Sequence, residues 1–122
     1  MSRITIGVSL AAHVLSSMPA WCDPTDWSAN KLMPGCRYII KLGPGRSPVP
    51  LTEMQTVYDG GACMGFVAGI AMVDTSLCLP PELTTDQMLR VVVKYIDERP
   101  QSMHHPFAVL VQQALATAWP CK

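Results

Sequence analysis

Five cysteines, at positions 22, 36, 63, 78 and 121, constrain this chain more than any other feature. No two of them form a C-x-x-C pair, which disfavours a zinc ribbon or a thioredoxin-like site and leaves structural cystines as the best reading. Cystines persist in an oxidising compartment, and the N-terminus points to one. Arg3 is the only charge before Asp23. Ile4 to Leu15 is a short apolar run diluted by Thr5, Ser9 and His13, and small residues follow at Ser16, Ser17 and Ala20. A charged start, an apolar middle and a small-residue cleavage zone are the parts of a secretory signal. A retained amphipathic helix is the alternative. Cleavage after Ala20 is the best cut, despite Met18 two residues before, and a cut after Ser17 is the second choice. Residues 1–20 are therefore expected to be a signal peptide and 21–122 one helical domain. The N-terminal run is too short for a membrane span, and no later stretch is read as long enough.

The rest of the composition narrows the class. A length of 122 residues allows one domain. Charged residues make up 15% and apolar residues 49%, so chain-wide disorder is excluded. Nine basic side chains balance nine acidic ones. That leaves no basic footprint for nucleic acid and no polybasic patch for a membrane surface.

The spacing of apolar residues predicts four helices. Ser28 or Asn30 is placed to cap a first, short helix running through Leu32 and Cys36 to Ile40, with Pro34 and Gly35 making its first part irregular. Residues 43–50, rich in Gly and Pro, form a loop. A second helix follows Leu51, with Thr52 and Gln55 as a capping box. Met54, Val57, Tyr58, Phe66, Val67, Ile70 and Val73 are its apolar positions, although the glycines leave a strand over residues 62–73 open. Gly61, Gly65 and Gly69 fall four apart on one face. Each costs about 1 kcal/mol against Ala in a helix, so close approach of another backbone within the core is expected there. Thr84 and Gln87 match a capping box for a third helix, with Met88, Leu89, Val92, Ile96 and Tyr95 inward and Pro100 as its stop. Residues 99–105 form a turn in which Ser102 is a plausible cap for the last helix. Phe107, Leu110, Val111, Ala114, Leu115, Ala118 and Trp119 make that helix's core-facing stripe. The predicted fold is all-α, a small four-helix disulfide-bonded domain with antiparallel sequential helices.

Antiparallel geometry pairs the cysteines. The loop at 43–50 folds helix one onto helix two, which brings Cys36 level with Cys63. The turn at 99–105 sets Cys78, just before helix three, beside Cys121, just after helix four. Each bridge closes a loop worth at most roughly 3–4 kcal/mol. Cys22 is left over: it is free, pairs between molecules, or displaces one of the assigned partners.

Several segments together resemble the Rap/Tai immunity protein family. They are Asn30-Lys31-Leu32 with Gly35-Cys36, Cys63-Met64-Gly65-Phe66-Val67-Ala68-Gly69, Cys78-Leu79-Pro80, Gln87 with Val91 to Ile96, Arg99-Pro100, His104, Phe107, Leu110, Ala114-Leu115 and the closing Ala118-Trp119-Pro120-Cys121. The resemblance covers roughly residues 28–121. It implies a periplasmic, α-helical, disulfide-bonded protein, often dimeric, that neutralises a peptidoglycan amidase effector delivered by type VI secretion. It also implies structural cysteines at Cys36, Cys63, Cys78 and Cys121, and gives Cys22 no counterpart. The partners expected are a cognate amidase and, as a homodimer, a second copy; no nucleic acid is expected, and no membrane after cleavage. A periplasmic acid-stress chaperone or a non-enzymatic adaptor domain of the same fold is the alternative.

The remaining chemistry is sparse. A nucleophilic cysteine needs a base, and His104 or His105 is the only one after the signal segment, while cystine formation consumes the thiols. Adjacent histidines rarely aim at one ion, and Asp97-Glu98 diverge on a helix. No catalytic residue, cofactor or metal ligand is assigned, and the protein is read as a non-enzyme. The methionines are read mostly as core filler, with Met103 an adaptable contact. An inhibitor needs a rigid protrusion for an enzyme cleft, and a loop braced at both ends provides one at little ordering cost. The turn from Arg99 to His105, with Arg99, Met103, His104 and His105, is the first candidate, and the Asp74 to Glu82 loop is the second.

Overall fold

The computed structural model describes residues 27–43 and 48–122. The signal segment, its cleavage site and Cys22 lie outside the described residues. Four helices follow one another: α1 (Ala29–Leu42), α2 (Met54–Val73), α3 (Thr85–Asp97) and α4 (Phe107–Ala118). Short 3-10 turns, Leu51–Glu53 and Pro100–Ser102, lead into α2 and follow α3. No strand is present among the described residues; the single isolated bridge joins Ser28 to Pro106. The 62–73 segment is helical throughout.

Helix α3 is built by local rules. Thr84 accepts the Gln87 amide at 3.2 Å, and the Gln87 side chain accepts the Thr84 amide at 2.9 Å. This reciprocal box satisfies two orphan donors at the helix start. Met88, Leu89, Val92 and Ile96 turn inward, joined by Val93. Helix α4 buries Phe107, Leu110, Val111, Ala114 and Leu115 on the expected stripe, while Ala118 is exposed and Trp119 half-buried. Its cap differs from expectation. Ser102 lies in the 3-10 turn, and the residue before α4 is Pro106, which makes no side-chain cap bond.

Helix α1 is longer and more regular than its Pro34-Gly35 pair suggested. Pro34 sits inside the helix on its exposed side, where the carbonyl left without a donor faces water, and the chain continues. Gly35 is needed for another reason. An added Cβ would meet the Asp59 backbone at 2.5 Å and the Asp59 Cβ at 2.7 Å, so α1 and α2 touch backbone to backbone there. Gly60 is the matching position on α2, with the Gly35 carbonyl 2.9 Å from where its Cβ would stand. Cys36, the next residue on α1, bonds Cys63 one turn along α2, with their Cα atoms 5.5 Å apart.

The start of α2 also departs from the predicted cap. Leu51–Glu53 is a 3-10 turn, Glu53 precedes the helix without a side-chain cap bond, and Gln55 donates to Asp59 at 2.9 Å instead of closing a box with Thr52. The 3-10 turn and α2 together run from Leu51 to Val73, 23 residues whose most apolar 18-residue window has mean hydropathy 1.4. By length and composition this stretch is enough to cross a membrane, contrary to the expectation that nothing after the N-terminus was.

The core lies where the four helices meet. Leu32, Met33, Phe107, Leu89, Ile96 and Leu115 are its largest fully buried side chains, each worth about 1.5–3 kcal/mol of burial. Among the described residues no charged or polar side chain is buried, and none of the buried side-chain N or O atoms lacks a partner. Across the surface Arg37 of α1 pairs with Asp97 of α3, and Tyr38 donates to Glu53.

Candidate interaction surfaces

The turn between α3 and α4 is held by α1. The Asn30 amide donates to the Met103 carbonyl at 2.8 Å and the Ala29 amide to the His105 carbonyl at 3.2 Å. These are first-turn amides of α1, which have no partner within their own helix. Ser28 makes no side-chain cap bond, so the turn itself closes the helix. Within the turn, the His105 amide donates to Ser102 and the Ser102 amide to Arg99, both at 2.9 Å. The backbone of the segment is therefore fixed from both sides.

Its side chains divide. His104 and His105 are exposed, with ring centroids 4.2 Å apart. Met103 is half-buried and packs against the core. Arg99 folds back on its own helix: the guanidinium lies 3.8 Å from the Tyr95 ring centroid and donates to the Tyr95 carbonyl at 2.9 Å. A cation at a helix C-terminus is favoured by the dipole there. The four residues thus share one turn, but only the two imidazoles are presented freely to solvent.

The second loop is pinned at both ends. Cys78 bonds Cys121, Cα to Cα 5.0 Å, which ties the loop to the chain's end. Asp74, just after α2, accepts the Ser76 hydroxyl at 2.5 Å and the Ser76 amide at 2.9 Å on one oxygen, and the Gln112 amide of α4 at 2.8 Å on the other. These donors, the Ser76 hydroxyl foremost, hold the carboxyl below its ordinary 3.8.

The most conspicuous surface is neither loop. Leu51, Met54, Tyr58, Met72 and Val73 are exposed along one side of α2. Gly61, Gly65 and Gly69 lie among them, and a Cβ added at any of the three would find no described residue within 4 Å. The expectation that this stripe packs inside the core is therefore wrong, because the close contact uses the neighbouring Gly60. Met54 and Met72 likewise are surface residues, whereas Met33 and Met88 are buried. Beside the glycines, Trp27, Phe66 and Ile70 help to line an apolar groove of about 460 Å³. Phe66 links it to the core, with ring centroids 5.5 Å from Trp27 and 5.9 Å from Phe107. The sequence signal was present in the glycine spacing, but periodicity could not say which side the fold would cover.

Among the described residues no group of three or more His, Cys, Asp or Glu is placed to hold a metal ion. A comparison with known families adds to this picture. The sequence model describing Rap1a immunity proteins matches residues 28–121. The chain belongs to this family. The match spans all four helices and both disulfides, and omits the N-terminal segment. No curated protein and no solved structure matches. As a Rap1a family member the chain is an immunity-type protein, whose role is to bind another protein; such proteins are generally not enzymes.

Proposed function

We propose that this protein acts in the periplasm, as a homodimer, where it binds and inhibits a peptidoglycan amidase effector delivered by type VI secretion. Family membership over residues 28–121 carries the reading. Two disulfides in one small domain fit an oxidising compartment. The turn at 99–105 is the favoured insertion element. Its backbone is held by α1 amides, so entering a catalytic cleft needs little further ordering, and His104 and His105 stand exposed at its C-terminal end. The 74–82 loop is the second element.

The test is co-purification with the product of a neighbouring amidase gene, with protection of cells that export that amidase to the periplasm. Replacing His104 and His105 together by Ala is expected to weaken binding at least tenfold on calorimetry, a loss of about 1.4 kcal/mol, without lowering the thermal midpoint. Reversing charge at Arg99 is expected to weaken binding too, but it also removes the bond to Tyr95. The histidine pair is therefore the cleaner probe. Unchanged affinity in the double variant sinks the turn as the interface, and full amidase activity with the protein in excess sinks the function.

A further inference from the structure

Helix α2 is apolar over most of its surface, and the described residues cover only one side of it. On the other, Leu51, Met54, Tyr58, Met72 and Val73 are 52–87% exposed. Single exposed apolar residues need no explanation, but a contiguous set on one helix marks an interaction site. With Trp27, 37% exposed, they form one apolar patch along the groove, and a standard interface takes about 800 Å² from each partner.

The order of residues on this face names the occupant. Gly65 lies at the middle. Gly61 and Gly69 are four residues to either side, and Tyr58 and Met72 seven to either side. A two-fold interface must be self-complementary, and two antiparallel helices related by a dyad meet that requirement when the pattern reads alike in both directions. We propose that two copies of this chain pair through α2, antiparallel, with Gly65 on Gly65 at the dyad, Gly61 against Gly69 of the second copy, and Tyr58 beside Met72 of the second copy. The open glycines let the two backbones approach closely, as small residues four apart do in helix pairs. Asp59 is the only charged residue between Glu53 and Asp74; it lies off the stripe and is bonded to Gln55, so the copies meet without like-charge repulsion.

A lipid bilayer fits the same composition less well. To span it, α2 would have to leave α1, and the Cys36–Cys63 bond and the Gly35–Gly60 contact hold the two together. The pairing rests on the homodimer part of the proposed function and adds its face and register. It is independent of the effector, since His104 and His105 take no part in it.

Sedimentation equilibrium on the purified protein tests it. A dimer is expected at micromolar concentration. Gly65→Leu should raise its dissociation constant at least thirtyfold while leaving the isolated monomer's thermal midpoint unchanged or higher, because that Cβ meets open space among the described residues. Met72→Glu should have the same effect on pairing. In a Cys22→Ser background, Tyr58→Cys mixed with Met72→Cys should cross-link on mild oxidation, and Tyr58→Cys alone should not. A protein monomeric at every concentration, a dimer indifferent to both substitutions, self-cross-linking of Tyr58→Cys, or co-sedimentation with phosphatidylglycerol vesicles in place of pairing would each overturn the proposal.

Discussion

Gly60 and Gly61 are neighbours on one helix and have opposite surroundings. Gly60 is buried against α1, where the Gly35 carbonyl lies 2.9 Å from the place of a Cβ. Gly61 begins a stripe at which an added Cβ would meet none of the described residues within 4 Å. A step of one residue turns about 100° around a helix, which is enough to pass from the covered face to the bare one. The same residue type thus meets a need within the fold at one position, and at the next costs helix stability with no return inside a single chain. The covered face makes the domain; the bare face is available to a partner.

The largest effect should come from the covered face. Replacing Cys36 and Cys63 together by Ala releases a loop spanning 27 residues, which costs about 3.5 kcal/mol on the chain-entropy account. Urea denaturation should show it as a lower midpoint. The two bridges should also differ in accessibility. Cys36 and Cys63 are wholly buried, whereas Cys78 and Cys121 are exposed. Exchange with a thiol requires access to sulfur, so limited reductant followed by alkylation and mass analysis should label Cys78 and Cys121 first. Labelling of Cys36 at equal rate would mean that the α1–α2 contact opens readily, and the contrast between the faces would weaken.

Next in size is Gly35→Val. Backbone atoms of α2 occupy the space its side chain needs, and such overpacking costs about 3 kcal/mol at the upper end of its range. Gly61→Ala should go the other way. With no neighbour to displace, it should stabilise the monomer by about 0.5–1 kcal/mol, read as a raised thermal midpoint at concentrations too low for pairing. Opposite signs for two glycines of the same helix pair are the sharpest test of the comparison. Equal destabilisation would show that the bare face is covered within one chain after all.

What was legible in the sequence follows the same division. The capping box at Thr84 and the stripe of α4 are local patterns; the box stands as the sequence implied, and the stripe does from Phe107 to Leu115, with Ala118 exposed beyond it. The cystine pairs followed from folding sequential helices back on one another, which matched four of the five cysteines and left Cys22 over. Helix α2 was different. A helix apolar all round has no preferred face by periodicity, so nothing in its own residues said that Gly60 would be buried and Gly65 bare. The continuity of α1 through Pro34-Gly35 also depended on a distant element, since Gly35 is explained only by Asp59 and Gly60 across the interface. At the candidate turn, Arg99, Met103, His104 and His105 share one segment, but Tyr95 takes the guanidinium and the core takes Met103. Neither partner is visible in the spacing of the turn itself.

The smallest effect concerns the end of α2, where the chain leaves the helix beside α4. Asp74 joins the two by accepting Ser76 and Gln112 on separate oxygens, and these donors lower its carboxyl from the ordinary 3.8, Ser76 contributing most. A carboxyl whose value is lower in the folded chain than in the unfolded one adds stability above the unfolded value and loses it as pH falls through the folded one. Asp74→Asn removes that dependence. The wild type should therefore be more stable than the variant at neutral pH, and the gap should narrow as pH drops from about 5 to 3. The site is open to water, so the gap should be small. It should also be independent of protein concentration, because Asp74 belongs to the side of α2 that the domain itself covers. A gap that grew with concentration would place the loop after α2 in contact with a second copy, and the boundary between the covered and bare faces would have to be drawn elsewhere.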